Sequence, residues 1–131
     1  MKKKTNLDLK SGSQMQKRGA AGERRAVLYL WLHGYKILET NWLSGKREVD
    51  IIARKGDTIA FIEVKARKRG SLAPQLSVTA SKRSNIISAS YAYAAKNGIH
   101  TSYIRYDIIE VDLSRSFPLC GINHIVGAYC A

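Results

Sequence analysis

"EVDIIARKGDTIAFIEVKAR", residues 48–67, decides the fold. It reads as two strands, near Glu48–Arg54 and Thr58–Arg67, joined at Gly56–Asp57. Glycine at the first central position of a two-residue turn is the type II′ preference. Side chains alternate along a strand. On the second strand Ala60, Ile62, Val64 and Ala66 share one face, small and apolar enough for a core. The other face begins with Ile59 and Phe61 and then becomes Glu63, Lys65 and Arg67. One face thus turns polar part-way along, as at a cleft cut into the edge of a core. On the first strand Glu48, Asp50, Ile52 and Arg54 share a face, and Val49, Ile51 and Ala53 share the other.

A turn centred on Gly56–Asp57 sets Asp50 opposite Glu63 and Glu48 opposite Lys65. Opposed side chains have Cβ atoms about 4.5–5.5 Å apart, and like charges there repel. Two facing carboxylates need a cation between them, or one takes up a proton. Carboxylate oxygens, completed by water and substrate phosphate, are what Mg²⁺ or Mn²⁺ takes. Lys65, two residues from Glu63 on the same face, reaches the same spot. Two carboxylates, a divalent cation and a lysine can hydrolyse a phosphodiester: the metal polarises phosphate and activates water, and the lysine steadies developing charge. A plain Glu48–Lys65 ion pair, with Asp50 and Glu63 splayed into solvent, is the competing reading.

Outward from this hairpin, residues 14–33 have helical periodicity. Glu23, Val27, Leu30 and Trp31 lie on one stripe, and Gly34 is a stop. Residues 35–42 read as a strand. Pro74 suits the first turn of a second helix, running to about Lys96 and ended by Asn97–Gly98. "TSYIRYDIIEVDL", residues 101–113, reads as a long strand, and residues 122–130 as a short element of open type. The order α-β-β-β-α-β, a meander followed by a helical crossover, implies an α/β fold with a mixed central sheet flanked by helices. Residues 1–13 read as a flexible basic arm and residues 14–131 as a single domain.

Lys and Arg number 22 against 10 Asp and Glu, a formal net charge of +12. The excess points to a polyanion, nucleic acid first. No segment approaches the roughly 18 continuous apolar residues of a membrane span, and the N-terminus lacks the apolar stretch of a secretory signal. Cytoplasmic location without membrane contact is expected, and a homodimer stays open. Cys120, His124 and Cys130 form a C-x3-H-x5-C string. Structural zinc normally takes four ligands, so all three are read as C-terminal packing residues.

An acid followed thirteen positions later by E-x-K, Asp50 and then Glu63-Val64-Lys65, resembles the P-D…(D/E)-x-K nuclease signature. Its context adds specificity. "GERRAVLYLWLHGYKILETNW", "EVDIIARKGDTIAFIEVKARKR", "SKRSNIISASYAYA" and "IRYDIIEV" resemble the YraN-type family of small uncharacterised proteins over roughly Gly19 to Leu113. That family resembles archaeal Holliday-junction resolvases and carries the restriction-endonuclease-like fold. The resemblance implies that Asp50 and Glu63 bind Mg²⁺ or Mn²⁺, that Lys65 is the motif lysine, and that Glu23 completes the catalytic set. Arg67, Lys68 and Arg69 continue from the motif towards phosphate, and Lys82, at the edge of a core-facing stripe with Val78 and Ile86, reaches the same site. Arg47 stands where the family has glycine, which alters the start of the strand but none of these residues. A metal-dependent DNA endonuclease acting on branched or single-stranded DNA is the leading expectation. A non-catalytic nucleic-acid-binding module that keeps the fold is the alternative, and a structural protein whose acidic pair is an ion-pair network is a third.

Overall fold

A computed structural model of the chain describes the backbone of residues 6–67, 78–117, 119 and 121–131, and side chains from residue 19 onward within those ranges. Helix α1 (Asn6–Leu32) leads into strands β1 (Lys36–Ser44), β2 (Arg47–Lys55) and β3 (Thr58–Arg67). Helix α2 (Ala80–Asn97) crosses to β4 (Ile104–Asp112), and β5 (Ile122–Tyr129) follows. The five strands lie in the order β1-β2-β3-β4-β5. β3 and β4 are parallel, as a helical crossover requires, and the other three pairs are antiparallel. This is the expected mixed sheet flanked by helices, and its strand order is consistent with a restriction-endonuclease-like fold.

The turn sets the hairpin. Gly56 has φ +59°, and Asp57 is not among the residues of positive φ, which is the type II′ pattern. The register follows: Lys55 pairs with Thr58, Arg54 with Ile59 and Ala53 with Ala60, as far as Ile51 with Ile62.

Two apolar layers hold the sheet. Ala26, Leu30 and Tyr35 pack with Ile51, Ala60, Ile62 and Ile109 on the α1 side. Ile86, Ala89 and Tyr93 pack with Ile52, Ile59, Phe61 and Tyr106 on the α2 side. Val49, Ile51, Ile52 and Ala53 are all fully buried, so β2 is covered on both faces. A regular strand would turn Val49 and Ile51 the same way, yet they enter different layers. The alternation breaks at the residue between them, Asp50.

Three expectations need correction. Trp31 is 66% exposed and lies outside the buried stripe of α1, which is built from Gly22, Ala26 and Leu30. Small residues form that stripe because the helix lies close: a Cβ on Gly22 would come within 2.7 Å of the Ala66 Cβ. Helix α2 starts at Ala80, not at Pro74. Thr79 is extended, and its side chain accepts a hydrogen bond from the Lys82 N–H, a Ser/Thr N-cap. Its far end closes as expected, on Gly98 at φ +65°. Helix α1 begins at Asn6, so residues 6–13 of the expected arm are helical in backbone, and residues 1–5 lie outside the described residues. Lys68, Arg69 and Pro74 also lie outside them. No described helix is long and apolar enough to cross a membrane.

Candidate active site

The β2–β3 ladder stops one residue before the acids would face each other. Asp50 turns its carboxylate onto the backbone instead, where Oδ2 accepts a hydrogen bond from the Val64 N–H at 2.8 Å. The side chain thereby takes over a ladder bond and fixes Asp50 beside Glu63. Glu63 is 6% exposed. Its Oε1 lies 3.7 Å from Lys65 Nζ and 3.9 Å from Lys82 Nζ. Its Oε2 is buried and has no hydrogen-bond partner among the described residues.

Burial pushes the Glu63 carboxyl up, and the charge of Asp50 pushes further. Lys82 and Lys65 pull the other way and lose, leaving Glu63 at about 7 against an ordinary 4.5. A carboxylate oxygen without a donor is relieved when the carboxyl takes up a proton, which it can then donate to the neighbouring Asp50, or when a cation binds there. Asp50 and Glu63 lie side by side, and Lys65 pairs with Glu63 and not with Glu48, which is exposed.

Glu23 reaches the same place from α1. Gly19, Glu23, Asp50, Glu63, Val64, Lys65 and Ala66 line one cleft of about 400 Å³. Glu23 Oε2 accepts a hydrogen bond from Asn41 Nδ2 at 2.9 Å. Burial raises the Glu23 carboxyl, the Asn41 amide opposes this, and Asp50 and Glu48 raise it again. Asn41 is a site residue that sequence reasoning missed. It has φ +50°, alone among described residues other than glycine, and asparagine is among the few that tolerate that conformation. An asparagine inside an apolar strand was the available signal.

Lys82 is brought to Glu63 as expected. Arg67 is not among the residues lining the cleft, and its guanidinium lies 3.5 Å from Glu110 Oε2 on the adjacent strand. Among the described residues no three His, Cys, Asp or Glu side chains converge closely enough to hold a metal ion by themselves. Asp50 and Glu63 fit a hard divalent cation that draws its other positions from water and substrate oxygens, and the donorless Glu63 Oε2 is the observation that favours one. A larger cavity of about 510 Å³ lies at the hairpin end, between Arg54, Asp57, Tyr93 and His100. It has a single carboxylate and no lysine among its lining residues.

A second buried acid was not foreseen. Asp107 on β4 is fully buried. It accepts hydrogen bonds from Arg105 Nε at 2.9 Å and Nη2 at 2.8 Å, from His124 Nε2 at 2.8 Å and from the Gly127 N–H at 3.0 Å. Arg105 also donates to the Tyr35 hydroxyl, and His124 Nδ1 is 3.2 Å from the Tyr29 hydroxyl. Burial alone would raise Asp107, but His124, Arg105 and Gly127 outweigh it and hold the carboxyl below its ordinary value. His124 is thus a buried hydrogen-bonding partner rather than plain C-terminal packing. Cys130 is exposed, and Cys120 lies outside the described residues.

A mixed five-stranded sheet flanked by two helices, with two acids and a lysine where β2 and β3 part, makes this an α/β protein whose strand order is consistent with a restriction-endonuclease-like fold. The chain belongs to the Uncharacterised protein family UPF0102, whose family model matches residues 22–111. That span contains Glu23, Asp50, Glu63, Lys65 and Lys82. The chain is 42% identical to a UPF0102 protein of Geobacter metallireducens over 85% of its own length and 90% of the relative's. It is 41% identical to one of Clostridioides difficile, over 87% and 97%, and 42% identical to one of Trichlorobacter lovleyi, over 90% and 94%.

Proposed function

We propose that the chain is a Mg²⁺- or Mn²⁺-dependent endonuclease that hydrolyses phosphodiesters in DNA, on branched or single-stranded structures. The observation that carries this reading is Glu63: a buried carboxylate with one oxygen unsatisfied, beside Asp50, with Lys65 and Lys82 converging on its other oxygen. A fold seeking only stability would not leave an acid so placed. The net charge of +12 and the sequence resemblance to junction-resolving nucleases supply the substrate class.

Each residue then has a task. Asp50 and Glu63 would hold the cation, which when bound polarises the phosphate and makes water more acidic. The Val64 N–H keeps Asp50 aimed. Lys65 stabilises the negative charge that grows on the phosphate oxygens as the water oxygen bonds to phosphorus and the ester bond breaks. Glu23, held by Asn41, borders the cleft from α1 and orients water. Glu63 must be unprotonated to act as a ligand, so activity rises with pH through about 7. Cation binding moves that rise to lower pH, because a ligand must shed its proton to bind metal.

Asp50→Asn tests the reading. The amide oxygen can still accept the Val64 N–H, so the local fold survives while a ligand charge is lost. Cleavage of branched DNA in Mg²⁺ should fall by orders of magnitude, and binding in EDTA should hold or tighten slightly, since a negative charge near phosphate is gone. Lys65→Ala should also abolish cleavage but weaken binding a little. A wild type that binds tightly yet cuts no branched, duplex or single-stranded DNA or RNA in either metal would make the chain a nucleic-acid-binding module. Unimpaired cleavage by Asp50→Asn would remove Asp50, Glu63 and Lys65 from any activity seen.

A further inference from the structure

Three buried side-chain atoms among the described residues have no hydrogen-bond partner: Glu63 Oε2, Arg83 Nε and the Tyr129 hydroxyl. The proposed chemistry uses only the first. The other two belong to a single contact. The Arg83 guanidinium lies over the Tyr129 ring, 5.3 Å from its centre. Tyr129 stacks on Tyr106 at 5.1 Å with planes 11° apart, and the Tyr106 hydroxyl is tied to Ser90 at 2.7 Å. Arg83 therefore rests on a platform two rings deep, anchored to its own helix.

Lys82, the preceding residue of α2, has its ammonium 3.9 Å from Glu63. Tyr129 lies within electrostatic reach of both neighbours: after burial, the Glu63 charge raises its hydroxyl, and Arg83 opposes this. Four half-buried arginines are described. Arg25 donates to the carbonyls of Asp112 and Arg115, Arg67 pairs with Glu110, and Arg105 pairs with Asp107. Arg83 alone of these has no acceptor among the described residues. A guanidinium held flat on an aromatic face has already given up much of its side-chain freedom, and its planar fork matches phosphate oxygens.

We propose that Arg83, clamped on Tyr129, is a phosphate-binding residue that grips the nucleic-acid backbone beside Glu63. The proposal rests on the nucleic-acid reading above and not on cleavage. Arg83 touches the substrate, and Tyr129 is its positioning residue.

The test is equilibrium binding of a labelled DNA duplex in EDTA over a salt series, with thermal melts to confirm folding. Arg83→Ala should weaken binding roughly 5- to 10-fold near 0.1 M salt and make the log–log salt slope shallower by about 0.9, the loss of one phosphate contact. Arg83→Lys should restore the slope but not the full affinity, because ammonium lacks the planar fork. Tyr129→Phe keeps the platform and should bind as the wild type does. Tyr129→Leu should fall between wild type and Arg83→Ala. If the wild type binds and Arg83→Ala matches it in affinity and slope, the assignment is overturned while the nuclease reading stands. If Arg83→Ala binds normally but cuts poorly, Arg83 acts on the chemistry and not as a grip, which also overturns it. If the wild type shows no salt-dependent binding to DNA or RNA, the nucleic-acid reading falls and takes Arg83 with it.

Discussion

Glu63 and Asp107 stand on neighbouring parallel strands, one step apart in register. Both are buried, and their electrostatics are opposite. Asp107, linked through His124 to Tyr29 of α1, has four donors on two oxygens and is held below its ordinary value. Glu63, reached by Lys82 of α2, has one oxygen with no donor among the described residues and is pushed up to about 7. The same sheet thus buries one acid to hold itself together and another at a cost. A buried charge with its partners supplied supports the fold, and one left short of partners costs stability, which is the pattern that functional sites tend to carry.

Removing each charge should separate the two roles, and the largest effect is expected at Asp107. Asp107→Asn leaves Arg105 without its carboxylate and should cost about 3–5 kcal/mol in chemical denaturation, the usual penalty for breaking a buried pair. Little loss would mean that the Arg105–Asp107–His124 network does not hold the sheet.

Glu63→Gln should move stability the other way. A rise from 4.5 to about 7 makes ionised Glu63 unfavourable in the folded state. Its neutral replacement should gain about 1–3 kcal/mol at alkaline pH, taking 1.36 kcal/mol per pH unit and allowing for the amide's own burial. The same variant should lose cleavage. A destabilised Glu63→Gln would show that Glu63 is a structural acid like Asp107, and the comparison would collapse.

The pH dependence follows. Between about 4.5 and about 7 the folded protein keeps a proton on Glu63 that the unfolded chain has released. Its contribution to stability is therefore full below 4.5 and is lost as pH rises through about 7. Asp107 runs in reverse: its contribution is present above the ordinary value of 3.8 and is lost as pH falls through its lower folded value. Denaturation midpoints across pH should show the first decline in the wild type and not in Glu63→Gln.

Gly22→Ala is the smallest of these perturbations. The added methyl meets the Ala66 Cβ at 2.7 Å, so α1 must shift. Overpacking costs about 1–3 kcal/mol, offset by about 1 kcal/mol of helix propensity. Because Glu23 is the next residue, cleavage should drop more than the small net change in melting temperature would suggest. If activity is unchanged, Glu23 is not needed in place.

How much of this the sequence disclosed differs between the two acids in the same way. The Glu63 side rests on local signals. The Gly56 turn fixes the register, the register brings Asp50 to Glu63, and Lys65 follows by alternation. The sequence could not show that Asp50 leaves the ladder to accept the Val64 N–H, because a side-chain bond to backbone depends on where the strands part. The Asp107 side is assembled from α1, Tyr35 just before β1, β4 and β5, whose contacts span up to 95 residues, and no local pattern ties Tyr29 to His124. The α1 stripe was misplaced for a related reason. Hydrophobicity favoured Trp31, whereas close approach to β3 selected Gly22 and Ala26. The start of α2 was drawn to Pro74 by its helix-start preference, but the Thr79 cap sets it six residues later, at Ala80.

The most direct test is the ¹³C NMR titration of the Glu63 side-chain carboxyl, assigned by comparison with Glu63→Gln and run with and without Mg²⁺. The account predicts a midpoint of about 7 without metal and, with saturating Mg²⁺ and a non-cleavable DNA, a fall of roughly two units or more as the cation supplies the missing partner. A midpoint at the ordinary 4.5, or one near 7 that neither Mg²⁺ nor DNA moves, would contradict it.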